Sequence, residues 1–508
     1  MIPLTLQEIA DITGGTLDHV DNPHQKVSGF VEFDSRKVTP GGLFLCLPGE
    51  HVDGHDFAAQ AIEKGAVAVL AARQVGVPAI VVEPHGKISG EGANADIYAH
   101  DVDGSAAAVV AALSALARAV TQRLAAQHQL RIVGITGSAG KTSTKDLIAT
   151  IFRAAGDTVA PPGSFNNEVG LPYTALRCDE HTKYLVAEMS ARGIGHIRHL
   201  ASITAPKVGI VLNVGTAHLG EFGSRENIAL AKGELVEALP SAGEGGVAVL
   251  NADDDFVSAM APRTQAKVVY YSASTPPASQ AQYYATGVQL DDVARASFTL
   301  HTPQGEAFEI KLQVFGQHQV SNAVAAVAGA IESGVDPALV AHALSGHRIA
   351  SKHRMDVHTR ADGVTIIDDS YNANPESMRA AIAALAYTSA ARPDVRSIAV
   401  LGQMGELGNE AQEAHSELGA ELAKYNVQYL VAVGTNPNTQ AMAQAAEAQG
   451  INTTVCADVE QAAQAVEDIL RTPPISAEDW DRRSAKDVVL VKSSNAQHLW
   501  KVADALVR

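Results

Sequence analysis

The sequence predicts an α/β protein of three domains. They are a small α/β domain over 1–103, a central domain on a mostly parallel sheet over 104–347, and a C-terminal, Rossmann-like doubly wound domain over 348–508. Three observations carry that prediction. The chain has 508 residues, more than one hydrophobic core holds, and such a length divides into about three domains. Apolar runs of strand length alternate with helical patterns in two separate stretches, which implies parallel sheets covered on both faces. The first of these stretches opens on "VGITGSAGKTSTKDLI" from Val133, a strand, a glycine-rich turn and a helix start in immediate succession.

The elements follow in order. The first hundred residues mix short strands with one helical pattern, "DFAAQAIEKGAVAVL" from Asp56. "EPHGKISGEGANADIYAHDVDG" from Glu83 is rich in glycine and polar residues and reads as an exposed loop near a boundary. "SAAAVVAALSALARAVTQRL" from Ser105 is broken by Ser114, Arg118 and Gln122, so it is expected to be a helix of a soluble protein and not a membrane span. After the opening turn come strands in "KYLVAEM", "PKVGIVLNVG" and "GGVAVLNADDD", with the helix "SRENIALAKGELVEAL" between the last two. Residues 268–314 alternate as antiparallel strands do, and "HQVSNAVAAVAGAIESG" returns to a helix. Beyond His347, "VTIID", "RSIAVLG", "QYLVAVG", "NTTVCAD" and "DVVLVKSS" are each followed by a helical pattern, the signature of a doubly wound unit. "RTPPISAEDWDRRSAKD" from Arg471 reads as a surface insertion.

Composition narrows the partners. With 38 basic and 56 acidic residues the formal charge is −18, which argues against nonspecific nucleic-acid binding and against docking on an anionic membrane. The start, "MIPLTLQEIADITGG", lacks the basic stretch of a signal peptide. Cys46, Cys178 and Cys456 are far apart and form no CxxC pair, so neither a disulfide framework nor a zinc site is expected and a reducing cytoplasm fits.

The chemistry begins at the turn. Glycines let backbone N–H groups approach an anion, and a helix starting there presents its positive end. Gly137, Ser138, Ala139 and Gly140 form the cradle. Lys141 can reach terminal phosphates, Thr142 can hold magnesium through its hydroxyl, and Ser143 follows. The spacing is not the usual one, because only two residues separate Gly137 from Gly140. Magnesium needs hard oxygen ligands at strand ends, and Glu188 ends one strand while His218 follows another. In "LNADDD", Asp254 and Asp255 suit helix capping. Lys232 in "ALAKGEL" reads as a solvated helical lysine. "DDSYNANPESM" from Asp368 packs Tyr371, Asn372 and Asn374 before a helix that starts at Pro375, more polar groups than a cap requires. Arg354 in "SKHRMD" lies within reach of a phosphate if the domains close, and Ser35 and Arg36 in "FDSRKVTPGG" read as a solvated hairpin.

Taken together, these motifs resemble the Mur ligases, ATP-dependent amide-forming enzymes of peptidoglycan assembly. The resemblance runs in order along nearly the whole chain, through "DSRKVTPGGLFLCLPGEHVDGHDF", "TGSAGKTSTK", "GSFNNEVGLP", "EMS", "NVGTAHLGEFGS", "AKGEL", "LNADDD" and "GQHQVSNAVAA". Within the family, "DDSYNANPESM" with "LGQMGELG" points to the branch that joins D-Ala-D-Ala to a UDP-MurNAc-tripeptide. The resemblance implies a cytoplasmic monomer without membrane insertion, with UDP-MurNAc-tripeptide and D-Ala-D-Ala as substrates and ATP and magnesium as cofactors. It places Lys141 and Thr142 on the ATP phosphates and magnesium, and Glu188 and His218 on the metal. It also makes Lys232 a carbamylated metal ligand, which overrides the reading of that residue as solvated. Asn322, with His318 nearby, falls on the adenine side. Arg354 and Asp369 meet the nucleotide when the domains close. Ser35 and Arg36 fall in the UDP-binding segment, Asn166 and Asn167 face the muramoyl-peptide, and Tyr371, Asn372 and Asn374 face substrate. The sequence departs from the family pattern at Ser190, at Gly195-His196 and at Gly220-Glu221, all in loops expected to face substrate.

The implied reaction is activation of a peptide carboxylate as an acyl phosphate, followed by attack of the dipeptide amine. The diamino-acid-adding Mur enzyme is disfavoured because no DNPR-type motif is present, and folylpolyglutamate synthase because it lacks the first domain. A phosphate-transferring ATPase or kinase and a catalytically silent nucleotide-binding scaffold are the readings of other classes.

Overall fold

The computed structural model describes residues 1–49, 52–84, 86, 97–98, 101–348, 351–390, 392, 394–472, 474, 476, 479–480 and 486–507. Most of the glycine-rich loop expected after Glu83, and much of the insertion expected after Arg471, lie outside the described residues. The α/β architecture expected from the sequence is present as three separate sheets and a small two-stranded ribbon.

The first sheet has five strands, with Thr16–Asp18 antiparallel at one edge and Ala79–Val81, Ala68–Ala71, Leu43–Leu45 and Val31–Glu32 parallel. Two readings change here. The helix read from Asp56 ends at Glu63, because Gly65 turns into the left-handed region at φ +105° and "AVLA" becomes a buried strand. Val31–Glu32 and Leu43–Leu45 pair in parallel, so the segment with Ser35 and Arg36 is a crossover and not a hairpin.

The central sheet has nine strands. Thr158–Val159, Tyr184–Glu188, Arg131–Thr136, Val208–Val211, Val247–Asn251 and Lys267–Ser272 lie parallel in that spatial order. Tyr283–Leu290 continues in parallel, and Arg295–His301 and Ala307–Phe315 close the sheet antiparallel, as the alternation over 268–314 indicated. The parallel strands are buried along almost their whole length, which is why they read as continuous apolar runs. Ser105–Gln127 is long and apolar enough to cross a membrane. It packs instead against the helices Leu6–Thr13, Gly170–Ala175 and His196–Thr204, with Leu113, Leu116 and Val120 fully buried.

The third sheet carries Asp356–Thr359 antiparallel at its edge, then Thr365–Asp368, Val488–Lys492, Ser397–Leu401, Tyr429–Val433 and Asn452–Cys456 in parallel. The last strand in sequence thus sits between the two that come first among the parallel ones.

In the central sheet, Arg131–Thr136 lies between Tyr184–Glu188 and Val208–Val211. The chain moves to one side of it and then to the other, so the crevice for a ligand opens beyond its carboxyl end. Register sets the rest: Glu188 stands opposite Ile135 and Val211 opposite Thr136. The turn after Thr136, the Glu188 carboxylate and the loop after Val211 therefore share one edge.

Candidate active site at the phosphate turn

Gly140, at φ +84°, ends the turn, and the helix Lys141–Ala155 begins at the next residue. A Cβ on Gly140 would lie 2.5 Å from Asn322 Oδ1, so the turn packs directly on the helix Gln319–Glu332. Asn213 grips the turn from the neighbouring strand. Its Oδ1 accepts from Ala139 N at 2.8 Å, its Nδ2 donates to Ala139 O at 3.1 Å, and its carbonyl accepts from Ser138 N at 3.1 Å. Gly215 N donates to Ser138 Oγ at 2.9 Å. Asn213 escaped the sequence reading; its only signal was a polar residue directly after an apolar strand.

Lys141 folds over its own turn, donating to Gly137 O at 2.6 Å and Ser138 O at 3.4 Å. Burial lowers its pKa, with Arg354 acting the same way, while Glu188 and Glu406 oppose them. Thr142 Oγ1 donates to Glu188 Oε1 at 3.2 Å, and Asn166 Nδ2 donates to the same oxygen at 2.8 Å. Glu188 is fully buried, and its second oxygen, Oε2, has no hydrogen-bond partner among the described residues. An anionic oxygen left bare in the interior is costly unless a cation meets it.

The solvated reading of Lys232 does not survive. It is 3% exposed in the helix Arg225–Glu237, whose residues 231–236 are all buried. Arg263 closes the outer side of that helix by donating to the carbonyls of Ala229 and Leu230. Burial drives the Lys232 pKa well below the ordinary lysine value, and the charge of Lys141 pushes the same way. Both influences favour the neutral, nucleophilic amine.

His218 adopts a left-handed conformation at φ +63°, with Nδ1 2.6 Å from Glu406 Oε2 and 3.4 Å from Glu221 Oε2. Burial lowers its pKa, but the two carboxylates outweigh it and the net shift is upward. His218 thus faces the C-terminal segment, with Lys141 close enough to influence its charge. Arg354 also crosses from that segment. Its Nη2 donates to Ser164 Oγ at 2.7 Å, and Ser164 Oγ is 3.0 Å from Thr142 Oγ1. The guanidinium lies 4.1 Å above the Tyr371 ring, and Nε, buried, has no partner among the described residues.

Asp369 sits one layer back. Its carboxylate takes Lys492 Nζ at 2.6 Å and Met355 N at 3.0 Å, and His318 feels both Asp369 and Lys492. Burial lowers the His318 pKa and keeps the ring neutral. Asn322 donates to Gln319 Oε1 at 3.0 Å beside Gly140. Gln317 and His318 border two clefts. One, of about 630 Å³, runs between Leu290 and the helix Pro375–Ala390. The other, of about 400 Å³, is lined by Asp253, Ser274, Val288 and Ser321. No residue of the phosphate turn lines either, so the side-chain geometry locates the chemistry and cavity size does not.

The remaining expected residues divide. Asn374 is buried and its Oδ1 accepts from Ser377 N, a helix cap; Asn372 is exposed and accepts from Ala373 N. Asn167 accepts from Gly170 N at the start of the helix Gly170–Ala175. Ser35 is buried and donates to Gln60 Oε1, while Arg36 is exposed and paired with Asp34, whose carboxyl it holds at about 2. Asp254 caps the helix Asp255–Ser258, as read, whereas Asp255 is the first helical residue and not a cap. The departures from the family pattern are structural contacts. Ser190 donates to Asn166, His196 accepts from Arg192 N, and Gly220 meets the backbone of Gly408, a Cβ there lying 2.5 Å from Gly408 N.

Residues 135–330 match the Mur ligase middle domain, residues 353–495 the Mur ligase glutamate ligase domain, and residues 28–129 the Mur ligase family catalytic domain. The chain is 49% identical to the UDP-N-acetylmuramoyl-tripeptide–D-alanyl-D-alanine ligase of Mycobacterium tuberculosis, covering 100% of this chain and 98% of that protein. The chain belongs to the Mur ligase family. The enzyme of the same name from Escherichia coli is 33% identical over 85% of this chain and 86% of its own length. Among solved Mur ligases, MurF from Acinetobacter baumannii superposes with a TM-score of 0.80 at 28% identity, covering 99% of each chain. MurF from Thermotoga maritima, solved in complex with ADP, gives 0.72 at 26% identity over 94% of this chain and 97% of its own.

Proposed function

We propose that this chain is an ADP-forming carboxylate–amine ligase that joins D-Ala-D-Ala to UDP-MurNAc-tripeptide, giving the pentapeptide precursor of peptidoglycan. The carrying observation is the buried Glu188 carboxylate beside the phosphate turn: Thr142 donates to its Oε1, its charge reaches Lys141, and Arg354 arrives from the C-terminal segment on Ser164, next to Thr142. The full-length relatives of the same activity support it.

A peptide carboxylate is a poor electrophile because its leaving group would be oxide. Attack of a carboxylate oxygen on the ATP γ-phosphorus gives an acyl phosphate and ADP. Attack of the D-Ala-D-Ala amine on the acyl carbon then gives a tetrahedral intermediate, which expels inorganic phosphate. Lys141 and Arg354 offset the repulsion between the two anionic reactants, and the backbone N–H groups of residues 140–142 hold the phosphates at the helix start. Magnesium, when bound, would neutralise phosphate charge. Thr142, Glu188, His218 and a carbamylated Lys232 are the residues that would hold it, and the Glu188 oxygen without a partner among the described residues and the buried Lys232 amine, its pKa lowered, fit that demand.

Adenine and ribose run beside His318 and Asn322, with Asp369 oriented by Lys492. Ser35, Arg36 and the segment around them take the uridine nucleotide. Asn166, Asn167, Tyr371, Asn372 and Asn374 line the way to the peptide ends. The chain works as a cytoplasmic monomer of three domains, 1–103, 104–347 and 348–508, a division supported by each sheet falling within one of these segments.

The test is incubation of the purified chain with ATP, magnesium, UDP-MurNAc-tripeptide and D-Ala-D-Ala, read by mass spectrometry. A uridine product heavier by one dipeptide supports the ligase, and ADP formation without such a product favours an ATPase.

A further inference from the structure

Glu376 has no place in the chemistry above, yet it makes a doubled polar contact from the C-terminal segment to the loop that grips the phosphate turn. Its Oε1 accepts from Thr216 N at 2.8 Å and from Thr216 Oγ1 at 2.9 Å. The carboxylate lies flat against Gly215, where a Cβ would stand 2.7 Å from Glu376 Cδ. Gly215 N in turn donates to Ser138 Oγ, and two residues earlier Asn213 clamps Ala139 on both backbone atoms. An unbroken chain of contacts therefore runs from the C-terminal helix Pro375–Ala390, through the loop 213–216, to the turn that carries Lys141. The same loop is seated a second time, where Gly220 N donates to Glu406 O at 3.3 Å and the two glycine backbones, Gly220 and Gly408, touch.

We infer that Glu376 is a positioning residue: it couples docking of the C-terminal domain to the shape of the phosphate turn, so that the turn is set for phosphoryl transfer only when that domain is seated. The inference deepens the ligase reading and rests on it. One carboxylate oxygen receives two donors from a single residue, a geometry that fixes both the position and the rotation of the loop backbone at Thr216. Loss of this contact frees Gly215, and with it the donor to Ser138 Oγ. The nucleotide's own contacts to Gly137–Thr142 remain available in the undocked chain, so substrate affinity and turnover should separate. Glutamine at 376 retains the accepting oxygen, removes the charge and puts an amide NH2 in place of Oε2, which accepts no hydrogen bond among the described residues.

The experiment measures kcat and KM for ATP in the full-length chain with both acceptor substrates, for the parent, Glu376→Ala, Glu376→Gln, Thr216→Val and the Glu376→Ala/Thr216→Val double variant. Glu376→Ala lowers kcat by roughly tenfold or more, the order expected when two hydrogen bonds to a carboxylate are lost, while KM for ATP stays within about twofold. Glu376→Gln stays within about threefold of the parent, and the double variant falls no further than Glu376→Ala, because both changes cut one link. Glutamine as damaging as alanine, multiplicative losses in the double variant, or a loss confined to KM would each overturn the inference. If Glu376→Ala does not fold, the glutamine and valine variants still decide it. A parent chain that fails to require both acceptors for ADP release would sink the ligase reading instead, and the two failures are read from different lanes of the same assay.

Discussion

Asn213→Ala is the perturbation that most sharply probes how the phosphate turn is held. The side chain donates one hydrogen bond to Ala139 and accepts another, at 3.1 and 2.8 Å. Each such bond contributes about 0.5–1.5 kcal/mol net, so the pair is worth about 2 kcal/mol. Alanine leaves both backbone groups of Ala139 without their partner, and the turn gains freedom that nucleotide binding must then remove. If most of that energy is recovered on binding, ATP affinity weakens roughly 30-fold, since about 1.4 kcal/mol corresponds to a factor of ten. Isothermal titration of the parent and variant chains with ATP reads this directly, and a thermal melt of each chain controls for global unfolding. An affinity within about threefold of the parent, at matched thermal stability, would refute the claim that Asn213 sets the turn.

Further expectations follow from single contacts. Gly140→Ala forces a Cβ into Asn322 at a left-handed φ; it should destabilise the chain by about 1–2 kcal/mol or more and abolish ATP binding, as a melt and a titration will show. Lys232 is buried, and burial lowers its pKa well below the ordinary lysine value. In the sign convention of linkage, protonation penalises the folded state, so stability at this group rises with pH between its lowered folded value and about 10.4. A neutral amine also takes up carbon dioxide, so ADP release should fall in degassed, carbonate-free buffer and return on adding bicarbonate, with Lys232→Met insensitive to both. Cys46, Cys178 and Cys456 are buried and unpaired, and burial pushes the Cys46 thiol up to about 12. A thiol-specific chromogenic reagent at neutral pH should therefore label none of them until denaturant is added.

The sequence revealed the fold through its buried parallel strands, whose apolar runs are unmistakable in "YLVAE" and "VVLVK". It did not reveal that Val488–Lys492 inserts between Thr365–Asp368 and Ser397–Leu401, because strand order depends on crossovers and not on composition. The turn itself was legible, since glycine, lysine and threonine between a strand and a helix have a local meaning. Lys232 misled from its residues alone. Its helix is covered on all sides at residues 231–236, and the arginine that covers one side lies far along the chain at Arg263. Asn213, Glu376 and Lys492 share the same obscurity. Each acts on a partner in another segment, Ala139, Thr216 and Asp369 respectively, and no local pattern announces such a pair. Asn374 and Asn167 show the converse, polar residues in a motif whose side chains are engaged in helix starts.

The central claim is that the γ-phosphoryl group of ATP passes to a peptide carboxylate before the amide forms. Its most direct test is a tripeptide substrate whose terminal carboxylate carries ¹⁸O at both oxygens, turned over with ATP, magnesium and D-Ala-D-Ala, with the released phosphate examined by mass spectrometry. One labelled oxygen is expected in each phosphate and one in the new amide. Phosphate released without label would contradict it.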